Sequence, residues 1–116
     1  MEYFEGTLAD LLKEEYGGED CYGEDNKVIS KLLFEKPENI IFTTSDIDLE
    51  AVDALTVYLF KEGSDYFEAI DSNFYLSIKL GFRFVYEYAE GGLSTFFISK
   101  RDKELFEQLI NKAKIN

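Results

Sequence analysis

The chain has no histidine or tryptophan among its 116 residues, and only one cysteine, one proline and one methionine. Histidine is the side chain whose ordinary pKa lies nearest neutral pH, so its absence excludes Ser-His and Cys-His nucleophile pairs. With Cys21 alone, no internal disulfide can form, and the thiols and imidazoles of a structural zinc site are missing. We therefore predict a non-enzymatic protein with no catalytic residues, cofactor or metal.

Long apolar runs are also absent from the chain. No stretch approaches the roughly 18 residues that cross a bilayer, and the N-terminus is acidic where a secretory signal would be basic. The length is typical of one domain, since a second core would lack apolar material. We expect a single domain, residues 1–116, in the cytoplasm and away from membranes.

Basic residues are scarce, with 12 lysines and arginines against 24 acidic residues, which gives a net charge of −12. Residues 1–25 carry nine acidic residues and one lysine, whereas residues 73–116 carry five acidic and seven basic residues. A field of this sign repels nucleic acid and accelerates encounter with basic surfaces. We predict no direct nucleic-acid binding and a partner protein with a basic surface.

Apolar residues at helical spacing predict four helices, near residues 8–16, 26–35, 46–61 and 100–114. Three of them have capping-box spacing at their start, formed by Thr7 with Asp10, by Ser45 with Asp48 and by Ser99 with Asp102. Pro37 is predicted to end the second helix. Residues 39–44 are β-branched and apolar, which predicts a first strand.

Between residues 74 and 88, apolar residues recur at every second position instead of at helical spacing. The even positions are all apolar or aromatic: Phe74, Leu76, Ile78, Leu80, Phe82, Phe84, Tyr86 and Tyr88. This alternation predicts a strand with one face towards the core. Fifteen residues exceed the usual strand length, so we expect a bend or bulge at Gly81, or two strands in continuation.

The long strand is expected to pair with residues 93–99 through a two-residue turn at Gly91 and Gly92, which would place Tyr86 opposite Phe97. Residues 66–70 are expected to pair with its start. The resulting prediction is a two-layer α+β domain. Its mostly antiparallel sheet would have about three or four strands, with the helices on one face.

A second set of side chains is predicted to lie on the other sheet face, including Tyr66, Tyr75, Phe96 and Ile98. If no helix covers that face, it is an exposed apolar patch suited to a second copy of the chain. The alternative function that follows is a homodimeric structural or regulatory subunit.

The leading hypothesis is a small acidic interaction protein that occupies a basic site on its partner. Inhibitors, immunity proteins and the anti-defence proteins of viruses and mobile elements are built this way. The net charge equals that of about 20 Å of duplex, so nucleic-acid mimicry requires the acidic residues to share one face. The candidate partner-binding residues are Glu14, Glu15, Glu19, Asp20, Glu24 and Asp25, followed by Asp46, Asp48 and Asp53.

A carboxylate-metal enzyme is the third alternative. Asp46, Asp48 and Glu50 alternate like the first ligands of a calcium loop, but Ala51 and Val57 occupy positions that such a loop reserves for glycine and glutamate. An acid-rich first helical turn explains the three carboxylates through the helix dipole. What remains of this alternative is a magnesium site formed by Asp46 and Asp48.

Overall fold

The computed structural model describes residues 3, 23–61, 65–70, 74–88 and 94–115. Its elements are α1 (Gly23–Leu33), a 3₁₀ turn (Pro37–Asn39), β1 (Ile40–Thr44), α2 (Leu49–Lys61), β2 (Phe67–Ala69), β3 (Phe74–Ser77), β4 (Phe84–Tyr88), β5 (Ser94–Ser99), a second 3₁₀ turn (Lys100–Asp102) and α3 (Lys103–Ile115). This arrangement confirms the predicted α+β class. The helix predicted at 8–16 lies outside the described residues, and no described helix is long and apolar enough to span a bilayer.

The five described strands form one antiparallel sheet in the order β1-β5-β4-β3-β2. Strands β2 to β5 follow one another as a meander, as the sequence predicts, and β1 joins this meander beside β5. The sheet therefore has one strand more than the upper end of the predicted range.

The segment 74–88 is two strands, and the chain reverses between them. In the connection, Lys79 and Gly81 have positive φ angles of 64° and 86°, which are unusual for lysine and ordinary for glycine. The Ser77 hydroxyl donates to the Phe82 carbonyl at 2.9 Å and accepts from the Phe84 amide at 2.9 Å, which holds the turn closed. The prediction of one long strand over 74–88, bent at Gly81 or continued as a second strand, is therefore wrong, because this turn reverses the chain and pairs β3 with β4.

This reversal divides the even-numbered side chains between the two sheet faces. Leu76 lies opposite Val85 in the β3–β4 register, and directly opposed residues of an antiparallel pair point to the same face. Even positions of β3 therefore share a face with odd positions of β4. The prediction that Phe74 and Phe84 belong to one aromatic core face is wrong for this reason.

The β4–β5 register also differs from the prediction, by one residue. Tyr86 pairs with Phe96, and Tyr88 pairs with Ser94, whereas a two-residue turn at Gly91 and Gly92 requires Tyr86 opposite Phe97. The shift of one residue moves Phe96 onto the same sheet face as Tyr86. The predicted pair of Tyr86 with Phe97 is therefore wrong.

Helices α2 and α3 pack against one face of the sheet, which we call the aromatic face. Its buried strand residues are Ile41, Phe67, Phe84, Tyr86, Phe96 and Ile98, and the helices add Ala51, Val52, Leu55, Leu59, Phe106, Ile110 and Ala113. The Phe84 ring lies 5.6 Å from that of Phe106 and 6.0 Å from that of Phe96. Each such fully buried side chain contributes about 1.5–3 kcal/mol of transfer free energy.

Helix α1 covers the opposite face, which we call the α1 face. Its Ile29 and Leu33 are each 1% exposed and pack on strand residues Ile40, Phe42, Phe74, Leu76, Val85 and Phe97. Because helices lie on both faces, all five residues of β1 are buried. The prediction that all helices lie on one face is therefore wrong for α1, which lies across the sheet from α2 and α3.

The ends of the helices differ from the predicted boundaries for local reasons. Helix α1 ends at Leu33, ahead of Pro37, because Phe34 adopts a φ of 54° and the Glu35 amide bonds back to the Ser30 carbonyl at 3.0 Å. This is a C-terminal cap of the Schellman type, with phenylalanine where glycine is usual. The Arg83 guanidinium, directly before β4, lies 4.6 Å from the Phe34 ring centre. This cation–π contact joins the cap to the start of β4.

The first turns of α2 and α3 use different capping arrangements from those predicted. Helix α2 begins at Leu49, and Asp48 rather than Ser45 caps it, because its Oδ1 accepts from the Ala51 amide at 3.2 Å. Ser99 makes no side-chain capping bond, so the predicted pair with Asp102 is wrong. Because a 3₁₀ turn follows Ser99, α3 begins only at Lys103.

Candidate functional site

A pocket of about 230 Å³ opens on the aromatic face, between the C-terminal half of α2 and the strands β3 and β4. Its lining residues are Thr56, Phe60, Tyr75, Tyr86 and Tyr88. Four of these five side chains are aromatic, and none is charged. A concave apolar surface with a few polar atoms is the usual form of a binding site in a small domain.

The sequence of α2 explains how this helix reaches the pocket. Its fully buried face includes Val52, Leu55 and Leu59. Thr56 and Phe60 are one turn apart and lie on the flank beside that face, where they are half-buried. This spacing places both side chains over the neighbouring strands.

The floor of the pocket consists of three aromatic rings in mutual contact. The Phe60 ring lies 5.3 Å from the Tyr86 ring and 6.2 Å from the Tyr75 ring, and the two tyrosine rings are 5.9 Å apart. Tyr75 and Tyr86 are direct partners in the β3–β4 register. Behind this floor, Phe67 stacks on Phe60 at 5.1 Å. These contacts fix the rings, so the pocket is present before any ligand arrives.

The polar side-chain atoms of the pocket are hydroxyl groups, and those of Thr56 and Tyr86 form hydrogen bonds. The Thr56 hydroxyl donates to the Val52 carbonyl at 2.7 Å. The Tyr86 hydroxyl forms a hydrogen bond of 3.2 Å with the Ser94 hydroxyl. Burial raises the pKa of Tyr86 above its usual value, against the opposite effect of the bond to Ser94. Tyr86 is therefore a neutral phenol at physiological pH, which suits binding better than proton abstraction.

Tyr3 does not line the pocket and packs against α3. Its ring centre is 6.4 Å from that of Phe106 and 5.1 Å from the Lys103 ammonium. Burial, and then the negative charge of Glu107, raise the pKa of the Tyr3 hydroxyl. Tyr3 thus packs against α3.

Most of the predicted partner-binding residues fall where the structure gives no side chain. Glu14, Glu15, Glu19 and Asp20 lie outside the described residues. Glu24 and Asp25 belong to the first turn of α1, although their side chains are not described. Their role in binding stays a prediction.

The structure describes the other three predicted residues, Asp46, Asp48 and Asp53, which differ in exposure and in hydrogen bonding. Asp48 is half-buried and caps α2. Asp46 and Asp53 are exposed, and neither forms an ion pair with a described residue. Asp53 lies one turn before Thr56 on the pocket side of α2. Asp46 and Asp53 are thus available to a partner, whereas Asp48 also holds the helix start.

Asp48→Ala is expected to lower the free energy of unfolding by about 1 kcal/mol, because the Ala51 amide loses its capping oxygen. Asp46→Ala removes an equal charge two residues away without removing a cap, so its effect should stay within about 0.5 kcal/mol. Urea unfolding of both variants measures the difference. Equal losses would show that Asp48 does not cap α2.

The residues of the predicted dimer face occupy a different environment from the one expected. Phe96 and Ile98 are 0% exposed beneath α2 and α3. Tyr66 is half-buried and stacks on Tyr58 at 6.4 Å, while Tyr75 belongs to the pocket. The condition for this dimer face, that no helix covers it, is therefore not met at Phe96 and Ile98, because the β4–β5 register places both side chains under the helices.

Within the described ranges, no three acidic or cysteine side chains come together in a way that could hold a metal ion. Comparisons with protein-family models, curated proteins and solved structures found no match to this chain. No known family therefore supplies functional residues for it, and the pocket with its neighbouring carboxylates is the candidate site.

Sequence reasoning did not find this pocket. One usable signal was the pair Thr56 and Phe60, a threonine and an aromatic residue one turn apart on the half-buried flank of an amphipathic helix. The other signal was the tyrosine content of residues 75–88, which a strand core does not require. Neither signal locates a pocket until the pairing of Tyr75 with Tyr86 is known.

Proposed function

We propose that this chain is a small acidic, non-enzymatic interaction domain that binds a basic surface of a partner protein. The observation that carries this proposal is Asp53, an exposed carboxylate one helical turn before Thr56, which lines the aromatic pocket. Aromatic anchors in a pocket with charges at the rim are the usual composition of a protein-binding site. The inhibitor, immunity or anti-defence class, acting in the cytoplasm, fits this composition.

The charge of the whole chain supports the same function. A net charge of −12 on 116 residues gives a negative field that steers a basic partner to the domain. Asp46, in the turn before α2, and Asp53, in the second turn of α2, would add local contacts to this long-range attraction. Mimicry of nucleic acid is the narrower form of the proposal, and it requires the N-terminal acidic residues to lie on the side of Asp46 and Asp53.

The two alternative functions have less support. A homodimer through the aromatic face would need Phe96 and Ile98 at the surface, and α2 and α3 cover both. A magnesium pair would use Asp48, whose Oδ1 is already bonded to the start of α2. No observation in the described part of the chain favours either alternative over binding of a basic protein.

The test is a charge reversal with a matched control. A partner captured from the source organism at low salt and eluted by a salt step is purified, and its affinity for the domain is measured by titration calorimetry. The double variant Asp46→Lys and Asp53→Lys is expected to weaken binding about tenfold at low salt, since two attractions become repulsions. Charge reversal of Glu19, Asp20, Glu24 and Asp25 tests the N-terminal residues in the same way.

The control variant is Glu38→Lys with Glu104→Lys, which changes the net charge by the same amount. Glu38 and Glu104 are exposed, and they flank the end of the sheet where Ile40 pairs with Ser99, far from the turn that holds Asp46. The control is expected to keep most of the affinity. Equal losses in both double variants would contradict a local site, and affinity that is independent of salt would contradict the proposal as a whole.

A further inference from the structure

We propose that the aromatic pocket takes up one cationic side chain, a lysine or an arginine, of the partner protein. This inference rests on the proposed function and names what the pocket contributes to it. The pocket would hold the anchor residue of the partner, and the surrounding carboxylates would attract the basic surface that carries it.

The size of the pocket suits a single side chain. Its volume of about 230 Å³ lies below the roughly 300–1,000 Å³ of sites for drug-sized molecules. The pocket is open to solvent rather than enclosed, and its tyrosines range from 3% exposed at Tyr86 to 50% exposed at Tyr88. A chain of four or five atoms can therefore lie along the rings.

The aromatic lining suits a positive charge. Lysine and arginine bury an apolar stem while their charged end stays near polar atoms, and the rings of Phe60, Tyr75 and Tyr88 offer apolar surface for that stem. The faces of aromatic rings carry negative electrostatic potential and attract cations within about 6 Å of the ring centre. An anionic ligand would meet the same potential as a repulsion.

The hydroxyl of Thr56 adds a directional preference. Its proton is already donated to the Val52 carbonyl, so the oxygen can only accept further hydrogen bonds. An ammonium or guanidinium group has only donors to offer, whereas a carboxylate has none. The oxygen, which also lies beside the Tyr86 hydroxyl, therefore accepts a cation or a neutral donor and disfavours a carboxylate.

Charge outside the pocket lining also favours a cationic ligand. The five lining residues are uncharged, but Asp53 lies on the same side of α2 as Thr56 and Phe60. The net charge of −12 adds a negative background field. Charge complementarity thus favours a cationic side chain over a neutral apolar segment or a second acidic copy of this chain.

The experiment titrates the full chain with four small probes of similar shape. These are n-butylammonium, n-butylguanidinium, n-butanol and pentanoate, and the readout is the shift of tyrosine and phenylalanine ring signals in NMR spectra. The 13.4 kDa mass suits this method. Both cations are expected to shift the Tyr75, Tyr86 and Tyr88 signals. Their affinity should exceed that of butanol about five- to thirtyfold, with pentanoate weakest.

Two variants locate the effect in the pocket. Tyr88→Leu keeps an apolar rim but removes a ring, so the preference for butylammonium over butanol should fall several-fold. Tyr58→Leu is the matched control, because it removes a tyrosine ring that stacks on Tyr66 and does not line the pocket. Asp53→Asn should weaken binding of the cations and leave butanol binding unchanged.

Three results would overturn the inference. They are equal affinity for butanol and butylammonium, ring signals that do not move with any cation, and equal responses of Tyr88→Leu and Tyr58→Leu. None of them depends on the partner, so failure here is distinguishable from failure of the proposed function. Uptake of butylammonium together with partner affinity that ignores Asp46 and Asp53 would support the pocket and contradict the proposed charge contacts.

Discussion

The variant Phe96→Asp is expected to be unfolded at 25 °C. Phe96 is 0% exposed, and its ring contacts those of Tyr86 at 4.9 Å and Phe106 at 5.8 Å. Removal of a buried phenylalanine costs about 3–5 kcal/mol, and an unpaired carboxylate at the same position costs several kcal/mol more. The sum reaches the 5–15 kcal/mol that stabilises a typical domain. Circular dichroism and proton NMR would show the loss of structure.

Tyr88→Asp is the control for this variant. Tyr88 lies at the end of β4 on the same sheet face, but it is 50% exposed, so its substitution should leave the domain folded. A folded, monomeric Phe96→Asp protein from a dimeric parent would instead support the sequence-based prediction of an uncovered dimer face. The same variant thus discriminates between the core position of Phe96 and the position predicted from the alternation of residues.

Leu33→Ala is expected to lower the free energy of unfolding by about 2–5 kcal/mol. Leu33 is 1% exposed at the end of α1, and it packs on Phe42, Phe97 and Val85 of the α1 face. Among the described helices, α1 alone covers this face, so a cavity here cannot be filled by a neighbouring helix. Urea unfolding measures the loss.

The matched control is Leu105→Ala, a leucine of α3 that is 45% exposed. Its expected effect is within about 0.5 kcal/mol, since alanine has a high helix propensity and little packing is lost. A loss at Leu33 no larger than at Leu105 would show that α1 does not pack on the sheet as described.

The helices and the first strand could be predicted from sequence because their signals are local. Residues 46–61 show apolar positions at helical spacing, and α2 occupies Leu49–Lys61. Residues 39–44 are β-branched and apolar, and β1 occupies Ile40–Thr44. The errors lie at the ends of helices, where Asp48 competes with Ser45 for the cap and both satisfy the same pattern.

The sheet faces could not be predicted because alternation carries no information on chain direction. The even positions from 74 to 88 stay apolar through the turn, although β3 and β4 run in opposite directions. The register of β4 with β5 then decides whether Phe96 or Phe97 shares a face with Tyr86. A one-residue difference in the connection reverses that assignment.

The candidate site depends on both of these decisions. Thr56 and Phe60 come from a helix that the sequence predicts, but Tyr75 and Tyr86 meet only through the β3–β4 pairing. The carboxylates were visible from the start, since charge is a property of composition. Their neighbours were not visible, so Asp48 could not be distinguished from Asp46 and Asp53 before the cap was seen.

The sequence by itself determined the acidity of this protein, its lack of histidine, and its α+β class. These properties follow from composition and from local periodicity, which do not depend on distant contacts. Only the tertiary structure decided which apolar side chains share a face, that helices cover both faces, and that four aromatic rings line one pocket with Thr56. The physical reason is that strand pairing is set by turns and by packing across the whole sheet, where a shift of one residue moves every side chain to the opposite face.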